Sequence, residues 1–488
     1  MTNVLGNNNF IDDSIILNSD SYKYSQWVQY PEGTEIIRSY IESRGGKWNL
    51  LEWFGLQMFL PKLARPITQE EIDYAESLIL AHGEPFYREG WEYILREHGG
   101  KLPVRIMSAP EGSIIPVKNV LLTIENTDPA CYWLTSFLET ALLRAVWYPT
   151  TVATNSFESK SIILDYLNKT GDPSLIDFKL HDFGARGVSS LESAGIGGLA
   201  HLVNFKGTDT VTSLLYARKF YGEDVAGYSI PASEHSIACS YASIPTINIS
   251  CDCSVAEINN TKNELAYIRQ MLKFLDTHPL VSIVGDAYDI FNFAELMGSI
   301  KEEIIEKTGG GKFVVLRPDS GEPVSVVLKC LEILDRHFGS ITNSKGFKVL
   351  NHVRVIQGDG ITQETIARIL HRITTAGFSA DNVAFGQGGG LLQQVDRDTL
   401  KFAMKCSAAR VNGEWRDVFK QPITDFGKES KKGLVTLFKG EQGYYTGLEN
   451  ESNDPIALEK VFENGEITKT YTFEEVRANA SLAFTGQV

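Results

Sequence analysis

From Phe178 to Gly390 the chain repeats one pattern, and that pattern limits the folds open to it. A short apolar run ends in glycine or a charged residue, and a helical stretch follows. "FKLHDFGARG" precedes a helix near Ser190–Leu202, and "NFKGTD" precedes "TVTSLLYARKFYG". "VSIVGDAYD", "KFVVLRPDSGEP" and "VRVIQGDG" each lead into a longer helical pattern, and "NVAFGQGGG" closes the series. Repeated strand-then-helix units imply a parallel sheet with right-handed crossovers. Six such units fit a barrel better than a short open sheet, although the count alone admits a doubly wound fold.

The flanking segments read differently. "TEIIRSYIES" partly alternates, "NVLLTIEN" is a short apolar strand, and "YWLTSFLETALLRAV" is helical. After Leu400, "KFAMKCSAARVNGEWRDVF" and "GLVTLFKGEQGYYTGLE" read as antiparallel strands with turns. A chain of 488 residues is too long for one simple core. The expected fold is α/β: an irregular TIM-like β/α barrel over 151–395, plus a second α+β domain. That domain takes its first part and a helical connection from 1–150 and is completed by 396–488.

Charge and composition exclude several classes. The net charge of −15 argues against a nucleic-acid or anionic-membrane surface, although a local Arg/Lys cluster can still hold a small anion. No apolar run approaches bilayer length. The N-terminus "MTNVLGNNNFIDD" lacks the blocks of a signal peptide and reads as a short flexible lead-in. Of the six cysteines only Cys251 and Cys253 are close, and no second pair completes a zinc site. A reduced, cytoplasmic protein is expected.

In parallel β/α barrels chemistry gathers where strands end. Those positions hold His181-Asp182-Phe183, Asp209, Asp286, Arg317 with Asp319, Gly358-Asp359, and Gly386 through Gly390. Each has an ordinary alternative. "GQGGG" is either a turn or a backbone cradle for one anion. "RPDSG" is either a Pro-Asp turn with a surface arginine or a grip on a phosphorylated sugar. Phe183 is either core or an aromatic plate. Asp209, Asp286 and Asp289 are either helix caps or, for the last two, groups serving a metal-bound pyrophosphate. "KESKKG" at Lys428–Gly433 reads as a solvated turn. In "YSIPASEHS", His235 is either a structural cap or a chemical group, and Glu234 reads as a helix-start carboxylate.

Taken together, "HDFGARGVSSLESAGIGGLAHLVNFKGTDT", "GYSIPASEHS", "VSIVGDAYDIFN", "RPDSGEP", "RVIQGDG", "AFGQGGGLLQ" and "RDTLKFAMKCS" are highly specific. The chain resembles the nicotinamide-using branch of the type II phosphoribosyltransferase family. The resemblance runs from "DSYKYSQWVQYPEGTEIIRSYIESR" at Asp20–Arg44 to about "KKGLVTLF" at Lys431–Phe438.

The resemblance implies roles for the matching positions. Phe183, with Tyr22 from a partner subunit, sandwiches the pyridine ring, and Asp209 meets the carboxamide. Arg186, His235 and Arg317 face the diphosphate. Asp319, Gly358 and Asp359 hold the ribose. Gly388, Gly389 and Arg397, aided by Lys405 and Lys420, hold the 5′-phosphate. Asp286 lies near the reacting centre, with His235 and Asp319 as its catalytic companions. Asp20, Arg44, Ser229 and Ser282 join the substrate-binding set. Two departures stand out. Vertebrate members have an aromatic where Ala185 stands and a longer insertion after the position of Arg44.

The implied reaction moves the phosphoribosyl group of phosphoribosyl pyrophosphate to nicotinamide, releasing pyrophosphate. Mg²⁺ accompanies the pyrophosphate, ATP is a coupled co-substrate through a phosphohistidine at His235, and a homodimer shares its active sites. Neither nucleic acid nor membrane is an expected partner. The alternatives are a nicotinate phosphoribosyltransferase and a non-catalytic phosphosugar-binding regulatory protein. The Asp209 carboxylate argues against the first, since it repels a nicotinate carboxylate.

Overall fold

The computed structural model describes residues 14–241, 253–424 and 429–484, with the backbone alone over 253–262. The N-terminal lead-in, Cys251 and Lys428 lie outside the described residues. Two compact units emerge. One comprises 1–154, 217–223 and 395–488, and the other 155–216 and 224–394.

The second unit contains the strand-then-helix series. Its strands are β1 (Leu180–Asp182), β2 (Gly207–Thr208), β3 (Leu280–Val284), β4 (Phe313–Arg317), β5 (Val353–Gln357) and β6 (Val383–Gln387). They form one curled six-stranded sheet in the order β2-β1-β6-β5-β4-β3, and every pair is parallel. Val281, Ile283, Val314, Leu316, Val355 and Phe385 from these strands are fully buried in its core. Helix Pro323–Phe338 contributes Val327, Leu331 and Leu334, and helix Gln363–Thr375 contributes Ile366, Ile369 and Ile373. Their starts are cut by side-chain caps: the Glu322 carboxylate accepts from Ser325 N–H ahead of Pro323, and Thr362 forms a capping box with Thr365. Before β1, Lys179 Nζ donates to the carbonyls of Ala380, Asp381 and Val383 at 3.2, 2.9 and 3.1 Å, riveting the approach to β6.

The two edges of this sheet are not left bare. Segment 228–233 bonds to both. Thr208 N–H donates to Tyr228 O (3.0 Å) and Tyr228 N–H to Lys206 O (2.7 Å) on the β2 side. Ser282 N–H donates to Pro231 O (2.9 Å) and Ser233 N–H to Ser282 O (3.1 Å) on the β3 side. The segment thus serves as an irregular closing stave, paired only through isolated parallel bridges. Pro231 explains the irregularity, because it has no N–H to give to a ladder. The expected irregular barrel is present, and its closure runs through the "YSIPAS" run.

The first unit is built on a seven-stranded antiparallel sheet. Its order is Glu414–Asp417, Phe402–Val411, Thr34–Ser43, Val120–Asn126, Val104–Ser108, Glu459–Glu463 and Glu466–Ile467. N-terminal and C-terminal segments therefore share one sheet, as expected. Thr34–Ser43 sits inside it, paired on both sides, and its residues from Ile37 onward are buried. Burial on both faces is why its sequence alternates only in part. Among the described residues no helix is long and apolar enough to cross a membrane.

Candidate active site

Because the barrel strands are parallel, their C-terminal ends share one rim. The first wall of the site starts at β1. Asp182 is fully buried there and accepts from Gly184 N–H at 2.7 Å, which shapes the "FGARG" turn. Burial pushes its carboxyl up to about 6. Phe183 N–H donates to Gln387 O at 2.9 Å, tying the aromatic residue to β6. Its ring lies directly against Gly386: a Cβ on that glycine would come 1.9 Å from the ring. Gly386 is needed for this close approach, whatever else the "GQGGG" run does. Arg186 and Ala185 are exposed in the short turn beyond.

Asp209, at the end of β2, is exposed, and its Oδ1 accepts from Ser229 Oγ at 2.6 Å. Its backbone N–H is fixed by Asp182 O at 3.0 Å. Ser229 belongs to the closing stave, so the stave orients the carboxylate of a neighbouring strand.

The opposite wall gathers charge. His235 is the first residue of helix His235–Ser240, and Glu234 holds the cap position without a side-chain cap bond. His235 is therefore not a cap. Its Nε2 meets Asp286 Oδ1 at 2.8 Å, and its Nδ1 lies 3.9 Å from Asp319 Oδ2. Asp289, by contrast, is a cap, accepting from the N–H groups of Phe291 (2.8 Å) and Asn292 (3.2 Å). Burial pushes the Asp319 carboxyl above the ordinary carboxylate range. Arg317 and His235 work against that rise, and the charges of Asp286 and Asp359 add to it. Arg317 Nε is buried with no partner among the described residues, leaving a donor for a ligand. A Cβ on Gly358 would stand 3.3 Å from Asp319 and 3.4 Å from the Phe183 ring, so that loop also belongs to this rim. A Cβ on Gly389 would meet nothing within 4 Å, so its backbone is open to an approaching group. Ser282 is buried in β3, engaged through its backbone with the stave.

The remaining candidates lie in the first unit. Strand pairing sets Lys405 opposite Tyr40. Burial lowers the Lys405 ammonium; Glu139 opposes this, and the charges of Arg44, Lys420 and Lys23 reinforce it. These four cations therefore share one field. Glu139 partly offsets it, 2.6 Å from Lys23 and 3.8 Å from Lys405. Arg44 leans on Glu42 at 3.1 Å, and its Nη2 is buried without a partner among the described residues. Lys23, buried beside the exposed Tyr22, is a member that sequence reasoning missed; its only signal is its place in "DSYK". Asp20 accepts from Thr140 Oγ1 at 2.6 Å. Arg397 stands on an exposed turn and pairs with its neighbour Asp398 at 2.9 Å. His98, Asp128 and Cys131 also approach one another, but Asp128 is already occupied by Tyr93, His98 and the Ala130 N–H.

The model of the nicotinate phosphoribosyltransferase (NAPRTase) family matches residues 178–466, and that of the nicotinamide phosphoribosyltransferase N-terminal domain matches residues 14–106. A nicotinamide phosphoribosyltransferase of Xanthomonas campestris pv. campestris is 50% identical over 483 residues, covering 96% of this chain and 99% of that protein. Another, of Acinetobacter baylyi, is 32% identical, covering 94% and 95%. Among solved structures, the nicotinate-nucleotide pyrophosphorylase of Pyrococcus furiosus superposes with a TM-score of 0.61 at 15% identity, covering 98% of this chain and 97% of that one. Human nicotinic acid phosphoribosyltransferase gives 0.57 at 17% identity, covering 96% and 94%. These two share the fold.

The raised Asp319 carboxyl has a consequence for stability. A carboxyl easier to protonate when folded favours folding at low pH, and that contribution is lost as pH rises above the ordinary carboxylate range. Asp319→Asn is therefore expected to melt higher than the wild type at neutral pH, with the gap closing as pH falls. Melting curves across that range check it; equal melting points at neutral pH would contradict the burial argument.

Proposed function

The chain belongs to the nicotinate phosphoribosyltransferase (NAPRTase) family, and from that premise we propose that it transfers the phosphoribosyl group of phosphoribosyl pyrophosphate to nicotinamide, releasing pyrophosphate. The observation that carries the choice of base is Asp209, an exposed carboxylate oriented by Ser229 on the rim that also bears Phe183. A carboxylate accepts from an amide N–H and repels a nicotinate carboxylate.

In this reading Phe183 stacks on the pyridine and Asp209 fixes the rotation of its carboxamide, which aims the ring nitrogen. Asp319 and Asp359 accept from ribose hydroxyls, while Arg317, with its unpartnered Nε, donates to the diphosphate. Arg186 adds a second cation. Gly388 and Gly389 lend backbone to the 5′-phosphate, with Gly389 open to its approach. In the first unit, the cation field of Arg44, Lys405 and Lys420, and Arg397 by itself, suit an anionic group. The pyridine nitrogen bonds to the anomeric carbon as its bond to pyrophosphate breaks. No side chain acts as nucleophile in that step; alignment and stabilisation of departing charge do the work. Magnesium would arrive held by pyrophosphate, beside the charges of Asp286, Asp319 and Asp359, and would supply leaving-group neutralisation.

The coupled use of ATP rests on His235. With Nε2–H donated to Asp286, the imidazole lone pair is on Nδ1, 3.9 Å from Asp319 Oδ2. It bonds to the γ-phosphorus of ATP as the bridging oxygen leaves with ADP, and water later returns the imidazole and releases phosphate. The homodimer reading rests on Tyr22, exposed at 54% and so open to a partner's site.

Three outcomes test this reading. Purified protein should use nicotinamide far better than nicotinate, with Asp209→Asn narrowing the gap; equal turnover of both bases by the wild type would sink the assignment. His235→Ala should lose ATP hydrolysis and ATP stimulation yet retain measurable basal synthesis, whereas stimulation persisting in a well-folded variant would remove His235 from the mechanism. Mixing inactive Tyr22→Ala and Asp319→Ala proteins should restore part of the activity through one intact hybrid site. No recovery after verified subunit exchange would count against shared sites.

A further inference from the structure

Two residues before His235, Ser233 is almost fully buried, and its hydroxyl is woven into β3. Ser233 Oγ accepts from Val284 N–H at 3.0 Å. Tyr267, from helix Cys253–Leu272, donates its hydroxyl to Val284 O at 3.1 Å. The Ser233 and Tyr267 hydroxyls also bond directly to each other. One proton arrangement satisfies every group: Val284 N–H to Ser233, Ser233 O–H to Tyr267, Tyr267 O–H to Val284 C=O. Burial pushes the Tyr267 phenol up to about 12, so it keeps its proton.

The position of this cycle matters. Backbone bonds join the stave to β3 as far as Ser282 and Ser233. At Val284 the strand still turns N–H and C=O toward the stave, since the next N–H, that of Gly285, goes to Arg317 O on β4. The two hydroxyls take the place of the missing strand partner. Val284 lies two residues before Asp286, and Ser233 two residues before His235. The cycle therefore fixes the separation of the two stems that carry the histidine and its carboxylate, 2.8 Å apart.

We propose that Ser233 and Tyr267 are positioning residues for the His235–Asp286 pair, acting through the closed hydrogen-bond cycle at Val284. This deepens, and for its kinetic readout rests on, the ATP-coupled role given to His235. Neither residue touches the reacting groups. Tyr267 packs beside Tyr241 and Phe293, with ring centroids 5.5 and 6.1 Å away, so Tyr267→Phe removes the hydroxyl and keeps the packing. Ser229 is anchored separately, through Tyr228 on the β2 side.

The test compares the full-length wild type with Ser233→Ala, Tyr267→Phe and the double variant. Amide exchange read by mass spectrometry over 233–240 and 282–286 should be about tenfold faster in each single variant, the effect of one buried hydrogen bond lost. Segment 191–202 should be unchanged. The double variant should exchange no faster than the singles, because either change opens the same cycle. In turnover, ATP stimulation should fall by about tenfold with KM for nicotinamide unchanged. Effects that multiply in the double variant, or a nicotinamide KM that rises along with a lost melting temperature, would overturn the proposal. If ATP fails to stimulate the wild type, the phosphohistidine reading falls, and unchanged or additive exchange is then the result that overturns the bracing claim.

Discussion

A curled parallel sheet leaves two edges of unpaired backbone groups, and in this protein one short segment satisfies both. Residues 228–233 hydrogen-bond to β2 at one end and β3 at the other. A regular seventh strand would do the same, but Pro231 withholds a donor and breaks the ladder. The stave is consequently held at discrete points. Those points fall beside Ser229 and just ahead of His235, so the closure of the barrel and the placement of two site residues are one structural event. The side-chain cycle of Ser233 and Tyr267 follows from it, supplying partners where backbone pairing runs out.

The rim that this closure completes is electrostatically tense. Burial and the charges of Asp286 and Asp359 raise the Asp319 carboxyl, and Arg317 and His235 only partly offset that rise. Arg317 keeps a buried donor unpartnered. A site optimised for stability alone would pair these groups fully or replace them with apolar residues. Leaving charge and donor capacity open suits a polyanionic ligand that arrives with its own cation, and stability is lost in proportion. The cation field around Lys405 in the first unit has the same character: among the described residues Lys23, Arg44, Lys405 and Lys420 face only Glu139, set against Lys23 and Lys405, and Glu42, set against Arg44.

Glycine has more than one job along the rim. Gly386 is required by a side chain from another strand, because the Phe183 ring occupies the space a Cβ would fill. Gly389 has open space above it and is free for backbone approach. One motif, "GQGGG", therefore combines an internal packing demand with an exposed surface. Read as a string of glycines it suggests only an anion cradle.

What the sequence determined by itself was the alternation of strands and helices, the second antiparallel domain, and the concentration of Phe183, Asp209, Asp286, Arg317, Asp319 and Asp359 at strand ends. Apolar periodicity and turn chemistry are local, so they are written in neighbouring residues. The site list beyond that came from resemblance to a family. Only the tertiary structure decided that a proline-containing run closes the barrel, because its pairing partners are distant and its proline argues against a strand. Only it separated Asp289, a cap, from Asp286, whose partner His235 lies 51 residues away in the chain. Ser233 and Tyr267 carried no local signal either, and Lys23 only its place in "DSYK". Their roles arise from contacts between segments far apart in sequence, and such contacts exist only once the chain has folded.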